Sequence, residues 1–79
     1  MKPGTLVKLG GYRYKYNAIH VNGGWYDIMP NMIGMFIRYD NTRVCIVKAA
    51  GGTATPAIFL FEDKLVSAYL EVFEPLEKE

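Results

Sequence analysis

A chain that catalyses with its own side chains needs a nucleophile, a base and a group to orient the pair. Histidine occurs once, at His20, and cysteine once, at Cys45. One imidazole and one thiol make neither a metal set nor a histidine-based triad at any familiar spacing. His20 therefore reads as a surface or loop residue. Cys45 stands inside the apolar run Val44-Cys45-Ile46-Val47 and reads as a buried, inert thiol. A lone cysteine also excludes a disulfide within the chain. The carboxylates do not pair: Asp27 and Asp40 stand beside turn signals, where Asp serves backbone geometry, and Glu62-Asp63 reads as a solvated turn. The doublets Gly10-Gly11, Gly23-Gly24 and Gly51-Gly52 lack the Gly-Lys-Ser/Thr ending of a phosphate loop. The expectation is no catalytic residue, no metal and no cofactor, hence no enzyme unless a site is shared between subunits.

One constellation carries positive content. Tyr12-Arg13-Tyr14-Lys15-Tyr16 alternates aromatic and basic residues, and Trp25-Tyr26 follow it closely. In an extended segment, alternation places the tyrosines on one face and the two cations on the other. Tyr12, Arg13, Tyr14, Lys15, Tyr16, Trp25 and Tyr26 are thus the candidate binding surface. Such a set suits a protein interface, where Tyr, Trp and Arg are enriched as anchors. It also suits stacking and phosphate attraction in nucleic-acid binding, and it is equally what one packed strand face looks like. A net charge of +1 gives no global pull toward a polyanion. The charge is unevenly spread: residues 1–48 carry +5 and residues 49–79 carry −4. That asymmetry favours head-to-tail contacts between copies or a basic face, unless folding mixes the signs on one surface. Met29, Met32 and Met35 recur around Pro30, as adaptable packing or as an exposed apolar patch.

These residues must be positioned by short strands. Thr5 to Leu9 is opened by Pro3-Gly4 and closed by Gly10-Gly11. The aromatic run reads as extended, prolonged by Asn17 to Val21 up to the turn Asn22-Gly23-Gly24. Trp25 to Ile28 is a brief strand or ordered loop, broken at Pro30-Asn31. Met32 to Tyr39 and Arg43 to Ala49, separated by Asp40-Asn41-Thr42, read as a hairpin. Ala57 to Phe61 is a buried strand, Glu62-Asp63-Lys64 a tight turn, and Leu65-Val66-Ser67 returns antiparallel. Ala68 to Glu71 fits one 3-10 turn. Val72-Phe73-Glu74 is a last strand ended by Pro75. No stretch holds the helical period over the 11 or so residues that a helix requires.

Seventy-nine residues make one small domain, predicted as residues 1–79 with a long aromatic loop or inserted hairpin over 10–31. An apolar fraction of 51% suits a globular chain. Its thin core favours stabilisation by a partner or by self-association. No leader is evident, and no apolar stretch approaches the roughly 18 residues of a membrane span. The expectation is a chain found inside the cell or in a virion, without a membrane partner.

Three pieces together carry a resemblance: Lys2-Pro3-Gly4-Thr5-Leu6-Val7-Lys8-Leu9, Ile33-Gly34-Met35-Phe36-Ile37-Arg38-Tyr39, and Ile58 to Ser67 followed by Tyr69-Leu70-Glu71-Val72-Phe73. They resemble the first strand, the start of the central meander and the ending of the small SH3-like β-barrel proteins of tailed bacteriophages. The resemblance covers roughly half the chain and specifies a fold rather than an activity. It implies an all-β, SH3-like barrel of five to six short antiparallel strands, with a 3-10 turn before the last strand. It also implies a viral setting: a non-catalytic virion component such as a head-decoration, neck or tail accessory subunit. A nucleic-acid-binding barrel and an inhibitor of a host protein are the alternatives. The segment from Gly10 to Asn31 departs from the pattern, so no functional residue is carried over.

Overall fold

The computed structural model describes residues 1–11, 14–41, 46–47 and 53–76. Tyr12, Arg13 and Cys45 lie outside the described residues. Nine short strands and one 3-10 turn occur within the described part. They are β1 (Leu6–Leu9), β2 (Tyr16–His20), β3 (Trp25–Ile28), β4 (Gly34–Tyr39), β5 (Ile46–Val47), β6 (Thr53–Ala54), β7 (Pro56–Phe61), β8 (Lys64–Tyr69) and β9 (Phe73–Pro75). Seven of them form one antiparallel sheet in the order β3-β2-β8-β7-β4-β1-β9, while β5 and β6 pair separately. The sheet curls into a half-barrel around one aromatic core, so the all-β, barrel-like expectation holds.

Alternation decides what each strand buries. In β1, Val7 and Leu9 point inward while Leu6 and Lys8 point out, the period-2 pattern of a one-sided strand. β3 buries Tyr26 and Ile28 and exposes Trp25 and Asp27. β7 has an inner set, Ala57, Phe59 and Phe61, that joins the core. Phe59 packs at 4.3 Å against Phe73 with the rings tilted by 40°, and meets Phe36 edge-on at 5.8 Å. Phe61 bridges Phe73 and Tyr26 at 5.8 and 6.5 Å. Tyr16, at the start of β2, lies edge-on to Phe73 of β9 at 6.3 Å. Ring contacts thus close what backbone pairing leaves open, because β2 and β9 lie near opposite ends of the strand order.

Three sequence expectations change. The main sheet holds seven strands, not five or six, because the segment over 10–31 supplies the paired strands β2 and β3. The two pair through four registered positions from Tyr16↔Ile28 to Ile19↔Trp25, and β2 then adds to β8. The strand in this segment starts at Tyr16 rather than Tyr12, since Tyr14 stands in a bend and Lys15 precedes the first ladder pair. Lastly, β4 pairs with β7, and not with the described part of the run that follows it. The reason is burial: β7 is apolar on both faces and can line the core opposite Phe36. The described part of the run over 43–49, Ile46–Val47, pairs with Thr53–Ala54; the rest lies outside the described residues.

The turns fall where their residues permit. Phe61 pairs with Lys64 across the two-residue loop Glu62-Asp63. Both loop residues have positive φ, 49° and 63°, as a type I′ hairpin demands. The 3-10 turn Leu70–Val72 precedes β9. It is tied to the β6–β7 link by Leu70 N–H donating to the Thr55 carbonyl at 2.8 Å. Glu71 accepts from both the Thr55 amide and its hydroxyl at 2.7 Å. Among the described residues no helix is long and apolar enough to cross a membrane.

Candidate interaction surface

The curl divides the candidate aromatic set. Tyr26 belongs to the core, and its hydroxyl donates to Glu62 at 2.5 Å. Burial first, then the hydrogen bond and the charge of Glu62, hold the phenol above its ordinary range. Tyr16 is half-buried against that core. Tyr14 is 80% exposed, and Lys15 is exposed and ion-paired with Asp27 at 3.1 Å. Trp25 is 72% exposed on the outer face of β3, although its neighbour Tyr26 is buried. The segment therefore contributes packing through Tyr16 and Tyr26, and surface through Tyr14, Lys15 and Trp25. Lys8, from the basic half, pairs with Glu74, from the acidic half, at 3.7 Å. Folding mixes the two signs at that point.

Register aligns the outward side chains into rows across the sheet. One row runs Trp25, Ile19, Ser67, Ile58, Arg38 over β3, β2, β8, β7 and β4; within it Trp25, Ile19 and Arg38 are exposed, whereas Ser67 and Ile58 are buried. A second runs Leu65, Leu60, Met35, Leu6 over β8, β7, β4 and β1. Val21 extends it on the β2 side, because its amide donates to the Leu65 carbonyl at 3.0 Å. Leu6, Val21 and Leu65 are each nearly half exposed, and Leu60 and Met35 are partly so. This apolar strip crosses four strands and the turn after β2, and is flanked by Lys8–Glu74 and Arg38. An apolar centre with a charged rim is the anatomy of a protein-binding surface.

The first row holds a cleft of about 390 Å³, lined by Ile19, His20, Val21, Arg38, Asp40, Ile58 and Ser67. Its floor is Ser67 and Ile58, small and aliphatic, and its walls include Ile19 and Arg38. Asp40 is buried there, and Ser67 donates to its Oδ2 at 2.9 Å. His20 shares the cleft, with its ring edge-on to Tyr26 at 5.2 Å. Serine and aspartate meet here, but the His20 ring turns to Tyr26 and its strand position pairs with core Val66, so no triad forms. The hydroxyl is bonded to the carboxylate directly, where a serine triad interposes the imidazole. Among the described residues no group of three His, Cys, Asp or Glu could hold a metal ion.

Sequence reasoning missed Ile19, Arg38, Ile58, Ser67, Leu65 and Leu6 as surface partners. The available signal was weak: Ile58 and Leu60 are apolar on the face of β7 opposite the phenylalanines. The rows exist only once strand order is known. No family model matches this chain, and neither a curated protein nor a solved structure is significantly similar to it.

Proposed function

We propose that this chain is a non-catalytic interaction protein that docks through the outer face of its sheet, with SH3-like barrel topology and a structural role in a viral particle. The carrying observation is the apolar strip Val21, Leu65, Leu60, Met35, Leu6, which is partly solvent-exposed across four adjacent strands and the turn after β2. Exposed apolar area that is contiguous, rather than scattered, marks a contact surface. The strand order β9-β1-β4-β7-β8 supports the SH3-like reading. It is a meander whose last strand returns beside the first, after a 3-10 turn. The particle setting rests on the sequence resemblance to small proteins of tailed bacteriophages.

The test pairs two measurements on the double variant Leu6→Lys, Leu65→Lys. Both side chains are nearly half exposed, so the variant should melt within a few degrees of the wild type. Wild-type protein should self-associate in sedimentation velocity or co-sediment with purified virus particles, and the variant should lose that association. A wild type that stays monomeric and is absent from particles refutes the proposal.

The nucleic-acid reading draws less support. Lys15 is engaged by Asp27 and two of the aromatics face the core. Absence of salt-dependent affinity for single-stranded DNA or RNA at low salt would end it.

A further inference from the structure

The exposed indole and the cleft lie on one face and in one register row. Trp25 pairs with Ile19, Ile19 with Ser67, and Ser67 with Ile58. At strand spacings of about 4.8 Å, the knob sits roughly 10–15 Å from the cleft floor. Ile19, which forms a cleft wall, stands between them in the row. We propose that a second copy of this chain occupies the cleft, each copy inserting its Trp25 between Ile19, Ile58 and Arg38 of the other. This rests on the outer-face interaction reading above and names its partner and its anchor.

The geometry supports a two-fold pair. A knob and a hole side by side on one face become mutually complementary when a two-fold axis passes between them, the self-complementarity that an isologous dimer requires. The cleft, at about 390 Å³, has room for an indole. Arg38 has no carboxylate partner among the described residues; its guanidinium reaches only the Tyr39 carbonyl, at 3.4 Å. It is available to lie over an aromatic face. Ile58 and Ile19 supply the apolar floor and wall. Trp is also the residue type that most often anchors interfaces.

Area sets the expected strength. Trp25, Leu65, Val21 and Ile19 are 72%, 46%, 46% and 38% exposed. Covering these four on both copies removes on the order of 900 Å² from water, just below a standard interface and in the range of weak, transient contacts. The pair should therefore be reversible and concentration-dependent.

Trp25 is the only tryptophan in the chain, so its emission reports the insertion directly. Dilution of the wild type should move that emission from blue, buried indole to red, solvated indole, in step with the dimer-to-monomer transition in sedimentation. Trp25→Ala keeps the hole and loses the knob, while Ile19→Lys keeps the knob and puts a cation in the hole. Each should weaken self-association by about thirty-fold or more, the effect of truncating an interface anchor. Mixed together they should recover one insertion. Because Trp25→Ala carries no tryptophan, it is a dark titrant, and the Ile19→Lys emission should shift blue only when it is added.

A dimer whose Trp25 stays solvated, or a Trp25→Ala protein that dimerises like the wild type, overturns the insertion while leaving the interaction reading intact. A protein that is monomeric at all concentrations yet bound to particles overturns the second copy as occupant. A monomer absent from particles overturns both. Matching circular dichroism and melting of the variants excludes unfolding as the cause of any loss.

Discussion

Gly34 opens β4 with its backbone against the core, and a Cβ built there would overlap three carbons of the Phe61 ring. Its φ is not in the left-handed region, so Gly34→Ala asks a purely steric question. Phe61 is fully buried, with Phe59, Phe73 and Tyr26 around it. The ring cannot withdraw without displacing that cluster. Overpacking a core costs about 1–3 kcal/mol, occasionally more, and the absence of an escape route places Gly34→Ala near ~3 kcal/mol. At about 4–8 °C per kcal/mol for a domain of this size, the melting temperature should fall by at least 10 °C. Stability of the whole domain is only about 4–12 kcal/mol at ordinary per-residue values, so the loss is a large share. Urea unfolding followed by circular dichroism measures it. The decisive comparison adds Phe61→Leu, which shortens the side chain that the new methyl meets. The double variant should be more stable than the sum of the single losses predicts, by about 1–3 kcal/mol. A Gly34→Ala protein within about 0.5 kcal/mol of wild type, or strict additivity with Phe61→Leu, would refute this account of the core.

Other expectations follow from the same contacts. Asp63→Gly relieves a positive φ of 63° in the β7–β8 turn and should raise stability by about 1 kcal/mol in urea titration; a loss would mean that the Asp63 side chain stabilises the turn. Tyr26 stays protonated in the fold at a pH where the unfolded chain has ionised, because its phenol is raised by burial and by Glu62. The folded state then binds more protons, so stability should fall as pH rises above about 10. Tyr26→Phe should flatten that fall in pH-dependent urea titrations, and an unchanged slope counts against the assignment. Lys15→Ala breaks an ion pair whose two side chains are 54% and 47% exposed and should shift stability by no more than about 0.5 kcal/mol. Ser67→Ala removes a donor to buried Asp40 and should cost about 1–2 kcal/mol; equal costs for these last two would contradict their difference in burial.

Local signals in the sequence located most of the elements. Pro3-Gly4, Gly23-Gly24 and Glu62-Asp63 are short-range turn chemistry, and each turn stands at or beside its predicted place. The change of pattern after Ser67 signalled a 3-10 turn and a last strand, but β8 runs on to Tyr69, the turn spans Leu70–Val72 and β9 takes in Pro75. Boundaries and partners were less legible. Aromatic–basic alternation over Tyr12 to Tyr16 has the period of a strand, but ladder pairing begins only at Tyr16. Alternation permits a strand without supplying its partner. The partner of β4 likewise depended on a competition that nearby residues do not encode. The adjacent run offered a short connection, and β7 offered a continuous inner row of Ala57, Phe59 and Phe61. Burial outweighed proximity, since loop closure costs grow slowly with loop length whereas each buried aromatic contributes a few kcal/mol.

The surface was harder still, for a reason general to sheets. A helix places its surface neighbours three and four residues apart, so a helical patch can be read along the chain. A sheet places them on different strands, so a row across it is written at unrelated sequence positions. Trp25, Ile19, Ser67, Ile58 and Arg38 adjoin only because β2 adds to β8 and β4 pairs with β7. The bulge between Phe36 and Arg38 is equally decisive. Phe36 faces the core opposite Phe59, and unbroken alternation would put Arg38, two residues on, on the core face too. The shift turns Arg38 outward opposite Ile58, into the cleft wall. The aromatic cluster at 12–26 drew attention because its residues are close in sequence, whereas the surface it serves is assembled from four other strands. Among the described residues of that cluster, only Trp25 belongs to the cleft row, and its exposure beside the cleft gives the face both a projection and a recess to match it.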